Sequence, residues 1–91
     1  MEYLDPVDQL EMRAEFIEGV VNIAQLSYWD DQRIEEFRNM ILDELASIDN
    51  MMYDIYEETG DREAAVYSWE EEMEKLRRWL SLIFGVKVKY I

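Results

Sequence analysis

Residues 34–61 read IEEFRNMILDELASIDNMMYDIYEETGD. Ile34, Phe37, Ile41, Leu45, Ile48, Met52 and Ile55 recur at steps of three and four residues, the period of one side of an α-helix. Glu, Asp, Asn and Arg fill most of the positions between them, so the opposite side is polar. Thr59-Gly60 ends the pattern, because glycine accepts the left-handed conformation that closes a helix. Asp61 follows as the N-cap of another. Upstream, Ser27-Tyr28-Trp29-Asp30 has capping-box spacing with Asp in the usual Glu place, which puts the start near Tyr28 or Asp31. Over 28–59 such a helix is about 45 Å long if continuous. Ser47-Ile48-Asp49-Asn50, its weakest helix formers, mark where it would otherwise kink.

One apolar seam needs partners, and the sequence supplies two. Asp5-Pro6 opens a helix over about 6–26, with Asp as cap and Pro in its first turn. Leu10, Ala14, Ile17, Val21 and Ala24 form one stripe along it, and Phe16, Val20 and Ile23 a second beside it. Together they span about 200° of arc, which predicts a helix wedged between two neighbours. The other partner runs over about 61–84 with a seam of Val66, Trp69, Met73, Leu76, Leu80 and Ile83, and Gly85 stops it. Glu71 with Lys75 and Glu74 with Arg78 are i,i+4 pairs in the favourable order, and Glu72 is placed towards Arg13 or a subunit interface. The tail 86–91, Val-Lys-Val-Lys-Tyr-Ile, alternates with period two and reads as a short strand. Its mate would be residues 1–4 or a second copy of the chain. The fold class is therefore all-α: a single domain over 1–91, a three-helix, mostly antiparallel bundle with a long middle helix and a short C-terminal β-strand.

Charge is divided unevenly along this pattern. All 22 acidic residues lie in 1–74 against four arginines, a sum of −18, whereas 75–91 carries five bases and no acid, giving −13 for the chain. Such a protein is repelled by nucleic acid and by anionic membranes, and it is attracted to proteins that bind them. There is no Cys and no His. Disulfide frameworks, thiolate or imidazole metal sites and Cys–His or Ser–His nucleophiles are thereby excluded. No apolar run approaches a membrane span, and the first residues lack the apolar core of a signal peptide. A soluble, cytoplasmic protein is expected.

Four features carry candidate function. Asp8, Glu11, Glu15 and Glu18 follow one another at i, i+3, i+7 and i+10 beside the apolar arc of the first helix. Their carboxylates rise in steps of about 4.5–6 Å along the axis, so this edge can stand in for a row of phosphates. Glu36 and Asp43, with Asp54 and Glu57, make a second negative line on the second helix. Against both stands the plainer reading of a solvated, solubilising surface. Tyr28, Trp29, Tyr67 and Trp79 are aromatic beyond the needs of one small core, and exposed aromatics anchor interfaces. The basic tail with Trp79, Phe84 and Tyr90 is better matched to the acidic body of this fold, or of a second subunit, than to nucleic acid.

Carboxylate chemistry is the remaining catalytic option. Glu15-Phe16-Ile17-Glu18 matches the first half of the E-x-x-E…E-x-x-D pattern with which an all-α nucleotide pyrophosphatase binds Mg²⁺. The second half recurs only as Glu58-Thr59-Gly60-Asp61, at a helix break, and Glu44-Leu45-Ala46-Ser47 fails where it belongs. A helical chorismate mutase needs several buried bases, and Arg13 alone qualifies. The expectation is no enzyme, with no catalytic residues, no metal ligands and no cofactor.

In size, acidity and lack of Cys the chain resembles the anti-restriction and anti-CRISPR inhibitors of phages and mobile elements, a resemblance of class carried by no motif. It implies a nucleic-acid mimic that blocks a basic, nucleic-acid-binding site on a partner protein. Asp8, Glu11, Glu15, Glu18, Glu36 and Asp43 would make the contact, with Tyr28 or Trp29 as anchor. The protein would not bind nucleic acid or membrane itself, and broad apolar arcs predict a homodimer. The alternative is a structural or adaptor homo-oligomer acting through its apolar and aromatic faces.

Overall fold

The computed structural model describes residues 6–85, with side chains from residue 9 onward. Three helices follow one another: α1 (Pro6–Leu26), α2 (Asp31–Thr59) and α3 (Arg62–Phe84). The expected strand at 86–91, its mate at 1–4 and the Asp5 cap lie outside the described residues, which contain no strand. The middle helix is continuous through Ser47–Asn50, so the kink does not form. At 29 residues it is about 44 Å long, matching the 45 Å long axis of the molecule. It is the spine of the bundle. Both other helices lie along it, antiparallel to it, and they touch one another only slightly.

The α2 seam is buried from Ile34 to Met52: Ile34, Phe37, Ile41, Leu45, Ile48 and Met52 are all in the core, with Ile41 and Met52 fully enclosed, whereas Ile55, the last of the expected seam, is only partly buried. Ala65, Trp69, Met73, Leu76 and Leu80 face it from α3. The expected seam of α3 fails at both ends: Ala65 is enclosed in place of the expected Val66, which is only partly buried, and Ile83 is 40% exposed. Phe84 turns inward instead, its ring 4.9 Å from Trp29 and 5.8 Å from Phe37. Trp29 of the α1–α2 turn, Phe37 and Phe84 thus close this end of the bundle with aromatics. From α1, Phe16, Ile17, Val20 and Ala24 are buried, but Leu10 is 63% exposed and Ala14 is exposed. The helix is not wedged between two partners. It leans chiefly on α2, and the Leu10–Ala14 side of its arc stays open.

The first turn differs from the capping box expected at Ser27. Ser27 and Tyr28 close α1: Trp29 N–H donates to Ala24 O and Tyr28 N–H to Gln25 O, both at 3.1 Å. This is the Schellman pattern, whose left-handed position usually holds glycine, but Tyr28 occupies it at φ 62°. Asp30 then caps α2, its Oδ1 accepting from Arg33 N–H at 2.8 Å, so the helix begins at Asp31 and not at 28. The other two stops are as expected, with Gly60 and Gly85 left-handed at φ 66° and 67°. Asp61 Oδ1 accepts from Ala64 N–H at 3.1 Å as the cap of α3.

A bulky side chain in this conformation carries strain of about 1–2 kcal/mol. Tyr28→Gly removes it, against about 0.5–1 kcal/mol of extra chain entropy in the unfolded state. The expected net is a stabilisation of about 0.5–1 kcal/mol, a rise of about 3–6 °C in Tm. Tyr28→Ala keeps the strain and should gain nothing. Thermal melts of the two variants side by side check this, and an equal response to Gly and Ala would contradict it.

Candidate functional site

Three polar side chains meet inside the bundle. Asp49 of α2 is only 3% exposed. Its Oδ2 accepts from Arg13 Nε of α1 at 2.6 Å, and its Oδ1 accepts from Trp69 Nε1 of α3 at 2.8 Å. A buried carboxylate is costly unless paired and hydrogen-bonded, and here both oxygens are engaged, one by each neighbouring helix. The adjoining cavity, lined by Gln9, Met12, Leu45 and Met73 among others, holds about 10 Å³. That leaves room for at most about one water, so the junction has no space for a substrate. It sets the register of α1 and α3 on α2. The sequence marked Asp49 only as a weak helix former and Arg13 as a partner for Glu72 or a lone buried base. The available signal was an acid one residue from the α2 seam together with the lone base of α1.

The outer surface of α1 carries no base. Arg13 is the only base in that helix, and it is drawn inward to Asp49. Glu11, Glu15 and Glu18 are exposed, and by the 3.6-residue period they point away from the side that carries Phe16, Val20 and Ala24. Among the described residues none of the three makes a hydrogen bond or ion pair. Asp8 belongs to the first turn of α1, and its side chain lies outside the described part. Glu36 and Asp43 are exposed on the outer side of α2, where Glu36 accepts from Gln32 Nε2 at 3.3 Å. The two acidic lines thus belong to different faces of the molecule, and the structure does not gather them into one site.

Of the two partners expected for Glu72, Arg13 is excluded by its pairing with Asp49. Nor does Glu72 leave Lys75 to Glu71: Lys75 Nζ donates to Glu72 Oε1 at 3.1 Å, an i,i+3 pair. The second half of the hydrolase pattern is occupied, since Asp61 caps α3. Among the described residues no group of three or more acids is placed to hold a metal ion.

The two anchor candidates behave oppositely. Tyr28 is 96% exposed, presented by its own left-handed backbone. Trp29 is half-buried in an aromatic cluster, 5.1 Å from Phe37 and 4.9 Å from Phe84, with the Arg33 guanidinium 3.7 Å over its ring. Trp29 therefore serves the fold, and Tyr28 is the one free to meet a partner. Around it at this end of the bundle Leu26 and Leu82 are 79% and 83% exposed.

No protein-family model, curated protein or solved structure matches the chain. Among the described residues no helix is long and apolar enough to cross a membrane.

Proposed function

We propose that the protein is a non-catalytic acidic binding protein that blocks a basic, nucleic-acid-binding site on another protein, acting as a nucleic-acid mimic in the manner of anti-restriction and anti-CRISPR inhibitors. One observation carries the reading. Glu11, Glu15 and Glu18 form an exposed row on α1 with no base beside it, because the helix's sole base, Arg13, lies two residues from Glu11 and Glu15 on the inner side and is paired with Asp49. Like charges spaced this way destabilise a helix by a few tenths of a kcal/mol per pair, and nothing on the same stripe offsets it. Asp8 would extend the row at one end. Glu36 and Asp43, on another face, would belong to the partner contact only if the partner wraps around α2. Tyr28 would supply an aromatic anchor at the turn.

The test is capture from a host lysate on immobilised protein, with nuclease present and elution by a salt ramp. The mimic should retain nucleic-acid-binding proteins after nuclease treatment and release them early, because exposed charges are screened within about 10 Å at 0.1 M salt. Reversing Glu11, Glu15 and Glu18 to Lys together should abolish the capture while the circular dichroism of the helices persists. Unchanged capture by the triple variant would sink the reading.

A second reading is favoured by the exposed Leu26, Tyr28 and Leu82: an adaptor or homo-oligomer joined through apolar faces, with the charge serving only solubility. Salt-resistant retention, or self-association alone, would select it.

A further inference from the structure

α1 seals only one side of the α2–α3 contact, at Leu45, Asp49, Trp69 and Met73. On the other side no residue of α1 lines the open groove, whose volume is about 340 Å³. Ile48 and Leu76 form its floor, each 8% exposed, and Met40 and Trp79 form its edges, 43% and 41% exposed. This volume lies within the range of about 300–1,000 Å³ typical of binding clefts.

The charges at its rim are not balanced. Lys75 is tied to Glu72 at 3.1 Å, which leaves Glu44 of the lining without a base. Beyond Met40 and Glu44, the next exposed side chain round α2 on this flank is Ser47, followed by Glu36, Asp54 and Asp43. Arg33, the base at that end, is held over the Trp29 ring. An incoming chain therefore meets an apolar floor beside a negative wall. A second copy of this protein would set the same acids against each other, at −13 per chain, and like charges placed face to face suppress association.

We infer that the α2–α3 groove is a docking site for a basic amphipathic helix of a partner protein. Apolar side chains of that helix at i, i+3 or i+4, and i+7 would enter between Met40, Ile48, Leu76 and Trp79, the usual manner of helix-in-groove recognition. Its flanking Lys and Arg would face Glu44 and the outer acids of α2. The inference does not depend on mimicry by α1, whose acidic row lies on the opposite side of the bundle.

Calorimetric titration of the full chain with three synthetic helices tests it. The probes are a Leu/Lys amphipathic peptide, a Ser/Lys peptide of equal charge without the apolar stripe, and a Leu/Glu peptide. The Leu/Lys helix should bind one to one, the Ser/Lys peptide at least about tenfold more weakly, about 1.4 kcal/mol or more, and the Leu/Glu peptide not at all. Met40→Ser with Trp79→Ser, and separately Glu44→Lys, should each weaken the Leu/Lys helix by about tenfold or more. Both changes are outside the core, and Glu44→Lys keeps the test sound if the double variant is unstable. Replacing Glu11, Glu15 and Glu18 by Gln should leave this binding nearly unchanged. Equal binding of the Ser/Lys peptide, an equal loss in the α1 variant, or no binding would overturn the inference. So would a dimer in sedimentation that Met40→Ser with Trp79→Ser splits, since the occupant would then be a second copy.

Discussion

Asp49→Ala is expected to lower the unfolding free energy by about 3 kcal/mol, near the foot of the range for breaking a buried ion pair. A chain of this length has about 5–13 kcal/mol in total, so the loss is a large share. Two effects add. Trp69 Nε1 loses the carboxylate that accepts from it inside the bundle, and removing the partner of a buried donor costs about 1–3 kcal/mol. Arg13 loses its counter-ion, but its side chain is 29% exposed and can turn part of its charge to water, which keeps the loss from the upper end. Arg13→Ala should be at least as harmful, because Asp49, 4% exposed in its side chain, cannot follow the solvent. Urea unfolding of both single variants and the double checks this. Coupling above about 1 kcal/mol is expected for residues in one network. A loss under about 1 kcal/mol for both singles would mean that the 2.6 Å contact adds no stability in solution. Substituting both by apolar residues, Arg13→Met with Asp49→Leu, should recover only the ion-pair part of the loss, since Trp69 Nε1 still lacks the carboxylate that accepts from it.

Ile41→Ala should cost about 3–4 kcal/mol, within the range of about 2–5 for large apolar residues cut back in a core. Ile41 is 0% exposed and belongs to the cluster that also holds Phe16, Val20, Met73 and Leu80. It lies on the middle helix, so the cavity it leaves is walled by rigid helix and cannot collapse readily. Leu82→Ala, on a residue 83% exposed, should stay within about 0.5 kcal/mol. At about 4–8 °C per kcal/mol for a domain of this size, the two variants separate by more than 10 °C, and a thermal melt suffices. Similar melting points would mean that α2 is not the spine of the core.

What was legible in the sequence follows one rule: features set by neighbours in the chain were visible. The apolar period of α2, the stops at Gly60 and Gly85 and the cap at Asp61 depend on residues within a turn of each other. So does the outward direction of Glu11, Glu15 and Glu18, once Phe16, Val20 and Ala24 define the inner side. The turn at Tyr28 was misread because two local signals competed there. Ser27 offers a capping box, but Asp30 caps one turn later, and no glycine marks the end of α1.

By itself, the sequence determined that this protein is two amphipathic helices packed on a long middle one, uncompensated in charge and without His or Cys. Periodicity, caps and composition are local or additive quantities, and they survive any arrangement of the helices. Only the tertiary structure decided that Asp49, Arg13 and Trp69 from three helices meet, that Phe84 and not Ile83 closes the end, and that one α2–α3 groove is sealed while the other stays open. Each of these depends on the rotation of one helix against another. That rotation is settled by packing across the bundle, where a residue's partners lie tens of positions away in the chain.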